Sequence, residues 1–219
     1  MIERRLAFVV SALLPACIVP PAGGRDLTSP EASRASSPAT EVLWVWTGEA
    51  GHDGGSGWDA CQHEHTPCDT ELRAVPGAGR DQSVGLHFSA RGPEWMGFGW
   101  NWLSWWPKEA GTDISRRNSV ALAIKLAGEP GQRPEPHTLK IALGGSAQDG
   151  HDATEAIPIA DFEPDFADGQ WHDVTLPLGA MLRGKGERFD TQRAWSFTIG
   201  AWNQGERKYE IFIDDVRFP

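Results

Sequence analysis

The stretch of residues 95–106 holds the densest set of side chains with a chemical use, because six of its twelve residues are aromatic. An indole face matches the flat C–H face of a sugar ring, so sugar-binding sites use Trp as a stacking platform. A strand in the middle of this stretch would turn Phe98 and Trp100 to one face, which we expect to fill the core. Trp105 and Trp106 lie beyond that strand, and we interpret them as ligand contacts.

A second pattern sorts apolar from polar side chains over residues 195–201. Side chains alternate between the two faces of a strand, and the apolar face is predicted to lie in the core: Trp195, Phe197, Ile199 and Ala201. The opposite face continues to Trp202, which precedes Asn203 and Gln204, whose amides donate to and accept from sugar hydroxyls. The pattern favours these three residues as ligand contacts, with an exposed Trp covering a sandwich edge as the alternative.

Cys61 and Cys68 enclose six residues that include His63 and His65. Two Cys and two His can bind zinc, but this spacing lacks the long separation between ligand pairs that zinc modules have. An exported protein also meets an oxidising compartment, where thiols pair. We therefore predict a disulfide between Cys61 and Cys68, with a metal site as the alternative.

The sequence lacks the usual signatures of catalysis. A glycoside hydrolase needs two carboxylates that flank the scissile bond, and the acidic group Asp161, Glu163 and Asp165 is interrupted by Pro164. A Gly-x-Ser-x-Gly elbow, a phosphate loop and a His-Glu-x-x-His helix are also missing. We predict a binding protein without catalytic residues, and the alternatives are a structural or protein-interaction domain and a glycan-active hydrolase.

Charge and hydropathy exclude two classes of partner. The 219 residues include 30 acidic and 20 basic side chains, for a net charge of -10. This balance offers no basic field for a phosphate backbone, so we expect no nucleic acid partner. No apolar run approaches the roughly 20 residues that a spanning helix needs, which excludes a protein that crosses the membrane several times.

The N-terminus has the pattern of an export signal. Two Arg precede the apolar run of residues 6–16, which has the length of a signal-peptide core. The run ends in Leu14-Pro15-Ala16-Cys17, which resembles the lipobox of bacterial lipoproteins, so we predict cleavage before Cys17 and its lipidation. Residues 18–40 are rich in Pro, Ala, Gly, Ser and Thr and are predicted to form a disordered linker. We expect a bacterial envelope or cell-surface protein, attached to the membrane only through its lipid.

The remaining sequence must position these side chains on strands. Short apolar or alternating runs are separated by Gly, Pro, Asn and Asp, the pattern of an all-β protein. We predict about nine strands and one helical turn at 178–182, and the strands cover residues 42–46, 83–88, 97–102, 120–126, 138–143, 156–159, 172–176, 195–201 and 209–213. The predicted domains are a signal peptide at 1–16, the lipidated linker at 17–40 and one β-sandwich domain at 41–219.

Several motifs in a fixed order carry a family resemblance. They are Asp113-Ile114-Ser115 before a strand, Asp168-Gly169-Gln170-Trp171-His172 before another, Phe189-Asp190, and the terminal Ile213-Asp214-Asp215-Val216-Arg217-Phe218. In this order the chain resembles jelly-roll carbohydrate-binding modules of galactose-binding-domain-like fold, with families 4, 11 and 22 nearest. The resemblance implies a jelly-roll β-sandwich that binds a glycan or polysaccharide.

The resemblance also implies a metal ion. Related modules commonly hold a structural calcium between an acidic residue near the first strand and an Asp of the last strand. On that basis Asp214 and Asp215 would be ligands, with Glu49 or Asp53 as the N-terminal partner. Calcium favours such clustered oxygen ligands. The alternative is that one Asp caps the strand end through backbone hydrogen bonds while the other is solvated.

Overall fold

A computed structural model describes residues 42–49, 55–62, 68–103, 111–147, 150–183 and 189–219. The described strands are β1 (Leu43–Trp46), β2 (Ser56–Gln62), β3 (Asp69–Pro76), β4 (Val84–Asn101), β5 (Ser119–Ala127), β6 (Leu139–Ala147), β7 (Gly150–Ala153), β8 (Ile157–Pro158), β9 (His172–Pro177) and β10 (Ala194–Phe218). The predicted helical turn is present as α1 (Leu178–Leu182), and three short 3-10 helices are at Pro136–Thr138, Ile159–Asp161 and Phe166–Asp168. None of the helices described is long and apolar enough to cross a membrane. The all-β prediction is confirmed.

Two unusually long strands connect the fold. β4 has 18 residues and β10 has 25, and they pair antiparallel over most of their length. The sequence pattern predicts each of them as two shorter strands, because Gly and polar residues interrupt the apolar alternation. Backbone pairing between the two strands instead continues on both sides of the interruption. Each long strand therefore belongs to two halves of one folded sheet.

The first half-sheet contains β2, residues 95–101 of β4, residues 194–203 of β10, and β6, with β7 and β8 beside β6. The second half-sheet contains β3, residues 84–91 of β4, residues 207–217 of β10, β5 and β9. β1 pairs with the last residues of β10. The sequence pattern missed β2, β3 and β7, whose residues lack a clear apolar alternation.

The long strands bend between the two half-sheets. Gly92 and Glu94 have φ angles of 150° and 62°, and the register of β4 against β10 shifts between Asn203 and Arg207. Phe88 and Phe98 lie on either side of this bend, and their ring centroids are 4.8 Å apart. Ten residues of straight strand would separate them by about 33 Å. The bend therefore folds the inner faces of the half-sheets together around the core.

The core contains the residues that alternation predicts. The predicted apolar face of β5 is at most 1% exposed at each position: Val120, Leu122, Ile124 and Leu126. Phe98 is fully buried, and Trp100 is partly buried against the same cluster. The predicted core positions Phe197, Ile199 and Ala201 of β10 are likewise buried within it. Alternation on these two strands thus identifies the inner face.

Trp195 lies at an irregularity of β10. Its side chain is 4% exposed, so its predicted burial is confirmed. The register of β10 against β6 shifts between Ala194 and Ser196, which marks a bulge at Trp195. A bulge adds a residue to one strand and interrupts the alternation of its side chains. Ala194 also belongs to the core cluster, so the alternation is not regular at this end of the strand.

The predicted disulfide between Cys61 and Cys68 is present, with 6.4 Å between the two Cα atoms. It joins β2, which ends at Gln62, to β3, which begins at Asp69. Because β2 and β3 belong to different half-sheets, the bond ties the halves together close to the bend. Both sulfur atoms are consumed by this bond, so the alternative zinc site would lack its two Cys ligands.

Candidate functional site

Three Trp side chains share the outer face of the first half-sheet, on the side away from the core. Trp58 lies on β2, Trp95 on β4 and Trp202 on β10. The register pairs Trp58 with Gly99 and Trp95 with Trp202. Met96 is fully buried, so alternation turns its neighbour Trp95 outward. We call Trp58, Trp95 and Trp202 the Trp face.

Glycine lets two of these indoles lie against the sheet. A Cβ atom on Gly99 would lie 2.5, 2.5 and 2.7 Å from three ring atoms of Trp58, and one on Gly200 would lie 3.0 to 3.1 Å from three ring atoms of Trp95. In both cases the near atoms are Cε2, Nε1 and Cζ2, so each indole packs closely against the backbone of its glycine. Any larger residue would push the indole away. The arrangement holds two indoles on the outer face of the sheet, where a ligand can contact them.

A groove of about 420 Å³ begins at this platform and continues over β10 and β6. Its lining includes Trp95 and Trp202, and the Trp202 side chain is 55% exposed. Lys140, Thr198 and Gln204 add an ammonium, a hydroxyl and an amide to the same lining. Together these groups supply both donors and acceptors beside an aromatic surface. This is the combination that binds a ligand with apolar C–H faces and many hydroxyls.

The structure brings together only some of the predicted ligand contacts. Trp202 and Gln204 both line the groove. Asn203 lies between them in sequence but is only 5% exposed, and its Nδ2 donates to the Glu94 carbonyl at 3.0 Å. That bond holds the bend of β4, so we assign Asn203 a structural role and do not include it in the site. Trp105 and Trp106 fall outside the described residues.

Trp58 and Trp95 are site residues that the sequence analysis did not select. A signal for Trp95 was available, since Trp95, Gly97 and Gly99 alternate on one face of β4, and an aromatic residue beside small ones marks an open surface. No comparable signal marked Trp58 as a site residue, because β2 lacks an apolar alternation. Trp58 packs on Gly99 because β2 pairs with β4, and a sequence pattern does not show which strands pair.

The residues expected to bind calcium lie on the second half-sheet, away from the Trp face. Oδ2 of Asp214 accepts the backbone N–H of Arg80 at 2.9 Å and the Ser83 hydroxyl at 2.7 Å. Oδ1 accepts the N–H of Asp215 at 2.9 Å. This carboxylate is therefore satisfied by hydrogen-bond donors, whose positive ends would repel a cation. Asp214 therefore matches the alternative in which one Asp caps the strand end through backbone hydrogen bonds.

Asp215 and Glu49 do not complete a calcium site either. Burial and the neighbouring Asp214 charge raise the pKa of the Asp215 carboxyl. Across the described ranges, no group of three or more His, Cys, Asp or Glu could hold a metal ion, and this includes the surroundings of Glu49. Asp53 lies outside those ranges. Among the described residues no calcium site is complete, and calcium binding stays a prediction.

Comparisons with known proteins agree with this architecture. The family model for carbohydrate binding domain 30 matches residues 45–219. A family 30 module of the cellulosomal cellulase Cel9D-Cel44B of Clostridium thermocellum superposes with a TM-score of 0.59 and 11% identity, covering 82% of this chain and 97% of that chain. A second family 30 module gives 0.54 and 12%, covering 82% and 98%. No curated protein sequence matches the chain.

A family 11 module from Clostridium thermocellum, in complex with a β-1,3-1,4-mixed-linked tetrasaccharide, superposes with a TM-score of 0.50 and 12% identity, covering 81% of this chain and 95% of that chain. These similarities confirm the jelly-roll β-sandwich class and the resemblance to carbohydrate-binding modules. Family 11 was among the families that the resemblance named, whereas family 30 was not. Because the family model covers the described domain from β1 to the C-terminus, this chain belongs to the carbohydrate binding domain 30 family.

Proposed function

We propose that the Trp face is the binding surface for a polysaccharide chain, and that the protein binds this chain without cleaving it. The observation that carries the proposal is the close packing of Trp58 on Gly99 and of Trp95 on Gly200, on the outer face that also presents Trp202. Indoles on neighbouring strands form an extended aromatic surface, and such a surface suits a chain of sugars better than a single sugar. Trp202 borders the groove that follows.

The polar groups around this platform support the same ligand class. Sugar hydroxyls each donate and accept, so they are satisfied by side chains of both kinds. Thr198 and Gln204 are neutral groups of this type in the groove. The family 11 neighbour was solved with a mixed-linked β-glucan tetrasaccharide, which makes soluble mixed-linked β-glucan a suitable first probe.

The test is calorimetric titration of the full domain with mixed-linked β-glucan oligosaccharides. Trp95→Ala and Trp202→Ala should each lower the affinity about tenfold or more, since a stacking aromatic is worth on the order of 1–3 kcal/mol. Trp44→Ala is the matched control, because Trp44 is 47% exposed but lies on β1, outside the first half-sheet. Wild-type affinity in the Trp95 and Trp202 variants, or an equal loss in the Trp44 variant, would place the site elsewhere.

We also propose that the chain is exported and anchored through a lipid on Cys17. The support is the apolar run of residues 6–16 after two Arg, with Cys17 at its end. Two or more acyl chains anchor a protein stably. Cys17→Ser should move the protein from the membrane fraction to the soluble fraction while the thermal melt of its domain stays unchanged. Equal membrane fractions for both proteins would refute the anchor.

A further inference from the structure

The groove beside the Trp face differs in charge from the rest of the protein. The chain carries 30 acidic and 20 basic residues, yet among the described residues the groove lining contains His137 and Lys140 and no Asp or Glu. Nδ1 of His137 lies 3.2 Å from Oδ1 of Asp161, so a carboxylate accompanies this imidazole. Lys140 is the basic group of the lining that has no such partner among the described residues.

A second groove shows how the same protein compensates its bases elsewhere. This groove, of about 600 Å³, lies on the second half-sheet and contains Arg91 and Lys208. Three carboxylates accompany those two cations in its lining: Asp69, Glu129 and Glu210. Among the described residues, acidic side chains thus accompany the bases in the lining of the second groove. In the groove that adjoins the Trp face, the described lining has no carboxylate beside Lys140.

The position of Lys140 relates it directly to the stacking platform. Lys140 on β6 is the cross-strand partner of Gly200 on β10, and Gly200 is the residue over which the Trp95 indole lies. Neighbouring strands are about 4.8 Å apart, and a Lys side chain can reach further than that distance. Its three N–H donors therefore lie at the edge of the surface on which a sugar would stack.

We propose that this groove selects polysaccharides that carry carboxylate groups, such as uronic acid substituents, and that Lys140 recognises the carboxylate. The inference rests on the proposed binding function of the Trp face and names the class of polysaccharide. The overall negative charge does not oppose it in physiological salt, where the Debye length is about 8 Å and distant carboxylates are screened. A contact ion pair at this exposed position should make the affinity for an anionic polysaccharide about two- to fivefold higher than that for a neutral one.

The experiment compares two soluble polymers with one β-1,4-glucan backbone, neutral hydroxyethyl cellulose and anionic carboxymethyl cellulose, in titrations of the full domain. The wild type should bind the anionic polymer about two- to fivefold more tightly, and the difference should disappear when salt rises from about 0.1 M to about 1 M. Lys140→Gln should lose the preference, so that its affinities for the two polymers become equal. Lys140→Arg should retain the preference.

Lys208→Gln is the matched control, because it removes the same charge from the second groove. It should leave the preference unchanged. Equal affinities of the wild type for the two polymers, or an unchanged preference in Lys140→Gln, would overturn the inference while leaving the Trp face intact. Failure of the wild type to bind either polymer would overturn both this inference and the proposed function, and Trp202→Ala should lower the affinity for both polymers alike.

Discussion

Replacing Gly99 by Ala tests the position of Trp58 while all three residues of the Trp face remain Trp. The new Cβ would lie 2.5 Å from Cε2 and Nε1 of Trp58. Carbon atoms in contact are about 3.5–4.0 Å apart, so the ring must move by at least about 1 Å. Trp58 is only partly buried and can tilt away. The Trp58 ring then leaves its position on the outer face of the sheet, while the strand itself is preserved.

We expect Gly99→Ala to weaken the binding of the glycan and to leave the stability of the fold nearly unchanged. Loss of one stacking aromatic should weaken the affinity for mixed-linked β-glucan by about 1–2 kcal/mol, which is about 5- to 30-fold. The free energy of unfolding should change by less than about 1 kcal/mol, because the ring moves instead of the backbone. Calorimetric titration measures the first quantity, and urea unfolding measures the second.

Two other glycines serve as controls. At Gly97 a Cβ would lie 2.7 Å from the Ile199 carbonyl oxygen, and this backbone atom cannot move aside, so Gly97→Ala should destabilise the fold by about 1–3 kcal/mol. At Gly179, in α1, nothing lies within 4 Å, so Gly179→Ala should leave the affinity unchanged and raise the free energy of unfolding by at most about 1 kcal/mol. If Gly99→Ala binds like the wild type, or if it unfolds as readily as Gly97→Ala, the seating of Trp58 over Gly99 is wrong.

Three further predictions concern the rest of the fold. Burial alone would lower the pKa of His172, but hydrogen bonds to Asp168 and Glu163 outweigh it and raise that pKa. The stability that protonated His172 contributes is complete below about pH 6.5 and is lost as the pH rises through the raised pKa. His172→Gln should therefore flatten the dependence of the melting temperature on pH over that range, and an unchanged pH profile would contradict the prediction. Asp214→Ala should destabilise the domain by about 1–3 kcal/mol, because it leaves the Ser83 hydroxyl and two backbone N–H groups unpaired. Calcium and EDTA should leave the wild-type melting temperature unchanged, and a rise with calcium would support a calcium site at Asp214. Reduction of the disulfide, which closes a loop with a sequence separation of 7, should lower stability by about 2–3 kcal/mol on the chain-entropy model, and an unchanged melt in reductant would count against it.

Local sequence patterns determined the class of the fold. Apolar alternation and the Gly, Pro, Asn and Asp between the runs identified most strands, since strand periodicity is a property of each segment by itself. The fully apolar face of β5 and the helical turn α1 were recovered for the same reason. The disulfide followed from two nearby Cys residues in a chain whose N-terminal sequence has the pattern of an export signal. The order of short motifs was enough to indicate a carbohydrate-binding module.

The candidate site could be predicted from the sequence only in part. Trp202 and Gln204 were found because they continue the polar face of a strand whose apolar face was clear. Asn203 was expected to contact the ligand, but it is buried and donates to the Glu94 carbonyl, and nothing local shows that the β10 register shifts beside it. The bulge at Trp195 was not predicted either, because a bulge is set by the partner strand.

Tertiary structure alone decided how the Trp face is assembled. Alternation separates the two faces of each strand, but it does not say which strands are neighbours. Trp58 and Gly99 are far apart in sequence, and they meet because β2 pairs with β4 in one particular register. Trp95 lies over Gly200 because β4 and β10 also pair. A platform built from residues on different strands depends on register, and register is fixed by how the whole sheet buries its core.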